Sequence, residues 1–273
     1  MTDEFAAHRR SVGEISYLDV GEGPVTVFVH GVFTNALLWR NCLRRLAGHR
    51  RCIAIDLPGH GHTPPVADAS VDGLASAVRT VLTALELTDV HLVGNDTGGA
   101  VCQLVYAADP GRFASLVLTN CDTEGNFPPP LFRPAVHLAR LGLLSLLRPL
   151  VKAPRVVRQA YRIGYQHPAP PEIISSFVGP VLGSPSGRRF MRELLSSMDS
   201  RRLARINPAL RECRIPVALI WGTGDPLFAP RWASWLKDLI PGATDVVPIP
   251  GGRLFFVDDR ADEFVTALRN HWN

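Results

Sequence analysis

Residues 92–99 read Leu-Val-Gly-Asn-Asp-Thr-Gly-Gly, an apolar run that breaks into Gly-x-Asp-x-Gly around Asp96. Small residues on both sides of an acid permit a very tight strand-to-helix turn, which pushes the central side chain out at the sheet edge. A carboxylate held there can attack an electrophilic carbon and form a covalent ester. Clearing that ester requires a general base to activate water, and histidine serves most often. One loop at the same carboxyl edge follows the last strand. Residues 249–256 read Ile-Pro-Gly-Gly-Arg-Leu-Phe-Phe there, with no histidine.

The elements that must position Asp96 alternate along the chain. Apolar runs predict strands over 25–30, 52–57, 90–94, 116–119, 217–221 and 246–249. Helical spacing falls at 37–46, 72–85, 97–108, 231–239 and 262–269. Continuous apolar strands joined by helices predict a mostly parallel sheet with helices on both faces. The stretch 14–20 predicts an added antiparallel hairpin. Between Gly125 and Pro208 strand signals vanish and proline clusters punctuate short helical pieces. The expected organisation is an α/β core over 1–126 and 207–273 with a helical cap, 127–206, inserted into it.

With 273 residues, 46% hydrophobic and 20% charged, the chain has the composition of a globular protein with one sizeable core. Its first residues carry acids and no apolar run, so no secretory signal is expected. The apolar stretch 138–151 is interrupted by Arg140, Arg148 and Pro149, too short and too charged to span a bilayer. Five scattered cysteines form no CxxC pair, which favours reduced core thiols and a cytoplasmic protein. Residues 131–211 carry thirteen Arg and one Lys against Glu172, Glu193 and Asp199, a net +11. Since the whole chain is +4, the remainder is −7. An anionic small-molecule substrate is one reading of that asymmetry. Solvated helix faces, in a chain with 27 Arg to 2 Lys, are the favoured one. No nucleic-acid motif accompanies the charge, and no cluster has metal-ligand spacing. No cofactor is implied.

In open α/β sheets ligands bind at the carboxyl ends of the strands. Four polar features fall there: His30-Gly31, Asp56-Leu57-Pro58-Gly59-His60-Gly61, Asp96, and Gly222-Thr223-Gly224-Asp225. In this order, and over nearly the whole chain, they resemble the α/β-hydrolase family. Asp rather than Ser or Cys at the turn resembles the branch of haloalkane dehalogenases and epoxide hydrolases. The resemblance implies that Asp96 is the nucleophile and that the backbone N–H groups of Val32 and Thr97 form the oxyanion site. It also implies that Asp225 orients the base. His30, at the oxyanion turn, and Phe33 are candidate substrate-side residues. Tyr161 and Tyr165, four apart and so on one helical face, are candidates to donate from the cap, with packing under the cap the alternative.

The departures are specific. The Trp that cradles halide in haloalkane dehalogenases is Thr97 here, and their Asn after His-Gly is Val32. Where epoxide hydrolases favour Pro, the chain has Phe33. Aligning forward from the last strand places Arg253 in the histidine slot, and aligning backward from the tail places Leu254 there. Arg253 cannot lose its proton near neutrality, but could pair with Asp96 and Asp225 and keep Asp96 ionised. Three readings follow: an atypical Asp96 hydrolase, a lyase, isomerase or cyclase using Asp96 with Arg253, or an inactive ligand-binding protein. The first is the leading expectation.

Overall fold

The computed structural model describes residues 4–273, so Met1, Thr2 and Asp3 of the acidic N-terminus lie outside the described residues. Eight strands form a single sheet: β1 (Arg9–Val12), β2 (Ile15–Val20), β3 (Val25–Val29), β4 (Arg51–Ile55), β5 (Val90–Asp96), β6 (Phe113–Cys121), β7 (Val217–Gly222) and β8 (Val246–Ile249). Their spatial order is β1-β2-β4-β3-β5-β6-β7-β8. β1 pairs with β2 and β2 with β4 antiparallel, and every pairing from β4 through β8 is parallel. The expected hairpin is therefore present, with β1 as the strand that its weaker apolar pattern hid.

β3 and β5 lie in the middle of the sheet and read as near-continuous apolar runs, interrupted by Thr26 and His91, because both faces are covered. Val27, Phe28, Val29, Leu92 and Val93 have no exposed surface. Helices Arg40–Leu46, Val71–Ala84, Thr97–Ala108, Arg231–Leu239 and Ala261–Trp272 connect the strands close to where their spacing predicts them. Ser70 caps the second of these, its hydroxyl accepting from the Gly73 N–H at 3.3 Å. The five cysteines are free and buried.

Between β6 and β7 every regular element is helical. This insertion is tied to the C-terminal loop through residues 162–167. The Phe255 N–H donates to the Gly164 carbonyl at 2.7 Å, and the Gln166 and His167 N–H groups both donate to Asp259. Among the described residues no helix is long and apolar enough to cross a membrane.

The register sets the site. Val29 pairs with Ile55 on one side and Gly94 on the other, and Asp96 pairs with Cys121. The residues that follow β3, β5 and β6 therefore emerge at one edge, where β7 and β8 also end through the Gly222–Ile249 pair.

Candidate active site

Asp96 sits at the turn from β5 into helix Thr97–Ala108 with φ +58° and ψ −134°, a conformation that costs a non-glycine residue roughly 1–3 kcal/mol. The turn is possible because its neighbours lack side chains. A Cβ on Gly98 would lie 2.2 Å from the Val29 carbonyl oxygen, and one on Gly31 would lie 2.1 Å from an Asp96 carboxylate oxygen. The sheet edge thus brings the β3 turn against the acid itself. The backbone N–H groups of Thr97 and Val32 both donate to the Asp96 carboxyl. These are the two N–H groups that the resemblance assigns to an oxyanion site.

Asp96 opens into a cavity of about 270 Å³ whose wall is mostly apolar. Phe33, Phe132, Tyr161, Leu182 and Phe255 contribute to it, and its polar side chains are Asp96, Thr97, Asp122 and Tyr161. Among the described residues that line it there is no histidine. Leu254 also faces the cavity, while its carbonyl accepts from the Asn95 amide at 3.0 Å. The choice of register is therefore Leu254: the cavity wall that holds Asp96 also holds a leucine.

Arg253 points elsewhere. Its guanidinium donates to the carbonyls of Arg162 at 2.5 Å and Tyr165 at 3.5 Å, fastening the insertion to the C-terminal loop. Among the described residues no hydrogen bond or ion pair joins it to Asp96. The expected Asp96–Arg253 counter-ion pair is not formed. The one-residue difference in the loop decides this, since consecutive side chains leave a turn in different directions. What Arg253 does reach electrostatically is Asp225, whose carboxyl it favours in the ionised form.

Asp225 lies after β7 as expected, but its oxygens are committed. One accepts from the Asn120 amide at 2.7 Å and the other from the Leu227 N–H at 2.8 Å. Burial still raises its pKa to about 6, with those bonds opposing. It lies outside the cavity lining, and among the described residues no histidine bonds to it.

The remaining candidates divide. Phe33 and Tyr161 line the cavity. The Tyr161 hydroxyl donates to the Phe33 carbonyl, so it braces the wall rather than pointing free into the space. Tyr165 is not a substrate-side residue: it is fully buried, and its hydroxyl donates to Asp258 at 2.9 Å, beside the Arg40–Asp258 ion pair at 2.7 Å. The helix that should keep both tyrosines on one face ends at Ala160, and a 3-10 turn follows over Tyr161–Ile163. Their four-residue spacing then no longer means one face. His30 is likewise structural. Its Nδ1 bonds the Gly31 carbonyl at 2.7 Å and its Nε2 accepts from the Leu57 N–H at 3.0 Å, so both ring nitrogens are used in shaping the turn. The Asp56 segment has the same duty: Asp56 accepts from the Ala36 and His62 N–H groups and from Arg9.

Sequence reading overlooked Asp122. It follows β6 directly, is 1% exposed, and lines the cavity with Asp96. One of its carboxyl oxygens accepts from the Thr97 hydroxyl at 2.9 Å, and the other is buried with no hydrogen-bond partner among the described residues. Its signal was positional: a carboxylate just past the end of a parallel strand, where ligands gather. Burial raises the pKa of Asp122 to about 8, with the Thr97 hydroxyl opposing. Burial also raises Asp96 well above the carboxylate range, reinforced by repulsion from Asp122 and Asp225 and opposed by the two N–H donors. Adjacent buried carboxyls cannot both ionise readily, so the pair retains a proton near neutrality.

This geometry meets a consistent set of relatives. Residues 24–260 match the sequence profile of a family described as the alpha/beta hydrolase fold. An uncharacterised protein of Mycobacterium tuberculosis is 29% identical over 255 residues, covering 88% of this chain and 73% of its own. Haloalkane dehalogenase 2 of the same organism is 25% identical over 276 residues, covering 94% and 91%. Among solved structures, an alpha/beta hydrolase fold protein from Burkholderia ambifaria superposes with a TM-score of 0.84 at 22% identity, covering 98% of each chain. With the profile spanning the sheet from β3 to β8 and the strained turn at the end of β5 carrying the acid, the chain belongs to the α/β-hydrolase fold family.

Proposed function

We propose that this protein is a hydrolase in which Asp96 attacks an electrophilic carbon of a small organic substrate, in the manner of the haloalkane dehalogenases and epoxide hydrolases. The observation that carries this reading is the Asp96 turn: a strained, positive-φ carboxylate facing an apolar cavity, with two N–H donors aimed at it. Such strain persists where function uses it. One Asp96 oxygen forms the bond to carbon as the leaving group departs. The other oxygen becomes the ester carbonyl, which the Val32 and Thr97 N–H groups hold. When water later adds to that carbonyl carbon, the same donors stabilise the oxyanion, each worth about 10²–10³-fold in rate. The positive end of helix Thr97–Ala108 adds to both effects.

The insertion, proposed as a cap over 127–206, supplies Phe132, Tyr161 and Leu182 to the wall and excludes water. Two carboxyls in a mostly apolar space disfavour an anionic substrate, so the proposed substrate is neutral. The arginines of the insertion that share a depression, Arg155, Arg158 and Arg162, belong to a separate surface hollow.

The test is intact-protein mass spectrometry after exposure to 1-bromohexane, followed by peptide mapping. A single alkyl adduct on Asp96, absent in Asp96→Ala, is expected. Labelling that persists in Asp96→Ala, or a native protein that neither forms the adduct nor releases bromide, would refute the nucleophile and favour a ligand-binding protein.

A further inference from the structure

Asp122 has a buried carboxyl oxygen that no described residue satisfies, and the residue lines the same cavity as Asp96. An unpaired polar atom in that position costs stability, about 1–3 kcal/mol, unless something that enters the cavity pairs with it. The residue is rigidly held. Its N–H faces the Asp96 carbonyl at 3.4 Å, its own carbonyl accepts from the Gln103 amide at 3.0 Å, and its second carboxyl oxygen accepts from Thr97. Of the other polar side chains lining the cavity, Asp96 is the nucleophile, Tyr161 is turned to Phe33, and Thr97 is bound to Asp122 itself.

We propose that Asp122 is the acid and base of this site, taking the place of the absent histidine, and that it selects substrates whose leaving atom is an oxygen, such as epoxides. The inference rests on Asp96 being the nucleophile. One proton is shared by the pair, and attack proceeds from the form in which the two backbone donors hold the charge on Asp96 and Asp122 carries the proton. Asp96 forms a bond to an epoxide carbon, the ring C–O bond breaks, and the released alkoxide takes the Asp122 proton. This leaves an Asp96 ester, a free hydroxyl and an ionised Asp122. Water then adds to the ester carbonyl carbon while Asp122 accepts its proton. Collapse of the oxyanion intermediate breaks the ester C–O bond, and the departing alkoxide takes the proton of the new Asp96 carboxyl. The products are a diol, an ionised Asp96 and a protonated Asp122, the starting state. A bromoalkane runs only half of this cycle. Bromide leaves without a proton, so Asp122 stays protonated below its pKa and cannot serve as base for the second step.

The test uses the full chain with 1,2-epoxyhexane and 1-bromohexane, comparing the native protein with Asp122→Asn and Thr97→Val. The native protein should turn over the epoxide and accumulate the hexyl ester from the bromide at pH 6. After the bromide is removed, that ester should clear faster as pH rises, with a midpoint near 8. The groups that bear on this titration are Asp96, silenced as the ester, the Thr97 hydroxyl, the Cys121 thiol, and more distantly Asp225 with Arg253 and Tyr161. Asp122→Asn should still form the ester from 1-bromohexane but clear it at least ~100-fold more slowly, without the pH midpoint. Thr97→Val removes a bond that favours the ionised form and should move the midpoint upward. Clearance at the native rate in Asp122→Asn would overturn the role of Asp122 and leave the nucleophile standing. An Asp96 that neither probe labels, in a protein without turnover, would overturn the nucleophile and this inference with it.

Discussion

Replacing Gly31 by alanine tests whether the β3 turn and the carboxylate are built against each other. The added Cβ would lie 2.1 Å from an Asp96 carboxylate oxygen, 2.4 Å from Asp96 Cβ and 2.5 Å from its carboxyl carbon. Ordinary contact begins at 3.4 Å, so the carboxyl must retreat by about 1 Å. It cannot do so by rotation alone, because Asp96 Cβ itself is in the way and the backbone is fixed by pairing with β6. A 1 Å displacement of a reacting group costs on the order of 100-fold in rate. Overpacking of this kind also costs about 1–3 kcal/mol, and a chain of this size loses roughly 2–4 °C of melting temperature per kcal/mol. Labelling of Asp96 by 1-bromohexane should therefore slow by about two orders of magnitude, with a modest fall in Tm by differential scanning calorimetry. Native labelling kinetics in Gly31→Ala would show that Asp96 is not held against this turn, and the geometric argument for its reactivity would fail.

Asp96→Gly relieves both the positive φ and a buried carboxyl, so it should raise stability by about 1–3 kcal/mol in chemical denaturation while abolishing labelling; a loss of stability would refute the strain. Arg253→Leu removes bonds to two carbonyls of the insertion and no contact with Asp96, so it should lower Tm by a few degrees yet leave the rate of Asp96 alkylation within a few-fold of native. A hundredfold loss would restore the counter-ion pair. Stability should also fall as pH rises from about 4 to 8. Asp122 and Asp225 have folded pKa values of about 8 and about 6, above the ordinary 3.8, so the unfolded chain releases their protons first and gains relative to the folded one. Asp122→Asn should flatten that fall, which a pH series of thermal melts would show; an unchanged slope would mean that Asp122 is ionised in the folded state.

The parts of this protein legible in its sequence are those that short-range chemistry decides. The near-continuous apolar runs of β3, β5 and β7 declare strands buried on two faces, and glycines on both sides of Asp96 permit its tight turn. The Val32 and Thr97 donors came from the family resemblance, not from that turn, and both N–H groups donate to the Asp96 carboxyl. Side-chain direction did not follow. Arg253 and Leu254 are neighbours, and only the packing of residues 162–165 on the C-terminal loop turns the guanidinium outward and leaves leucine in the cavity. Tyr161 and Tyr165 keep a helical spacing in a segment where the helix has already ended, so one lines the cavity and the other caps the buried Asp258. Asp122 carries only a positional signal, its place just past the end of β6, and nothing local joins it to Asp96. It meets Asp96 because β5 and β6 are paired with Asp96 opposite Cys121, a register fixed by long-range packing across the sheet rather than by any residue near either acid.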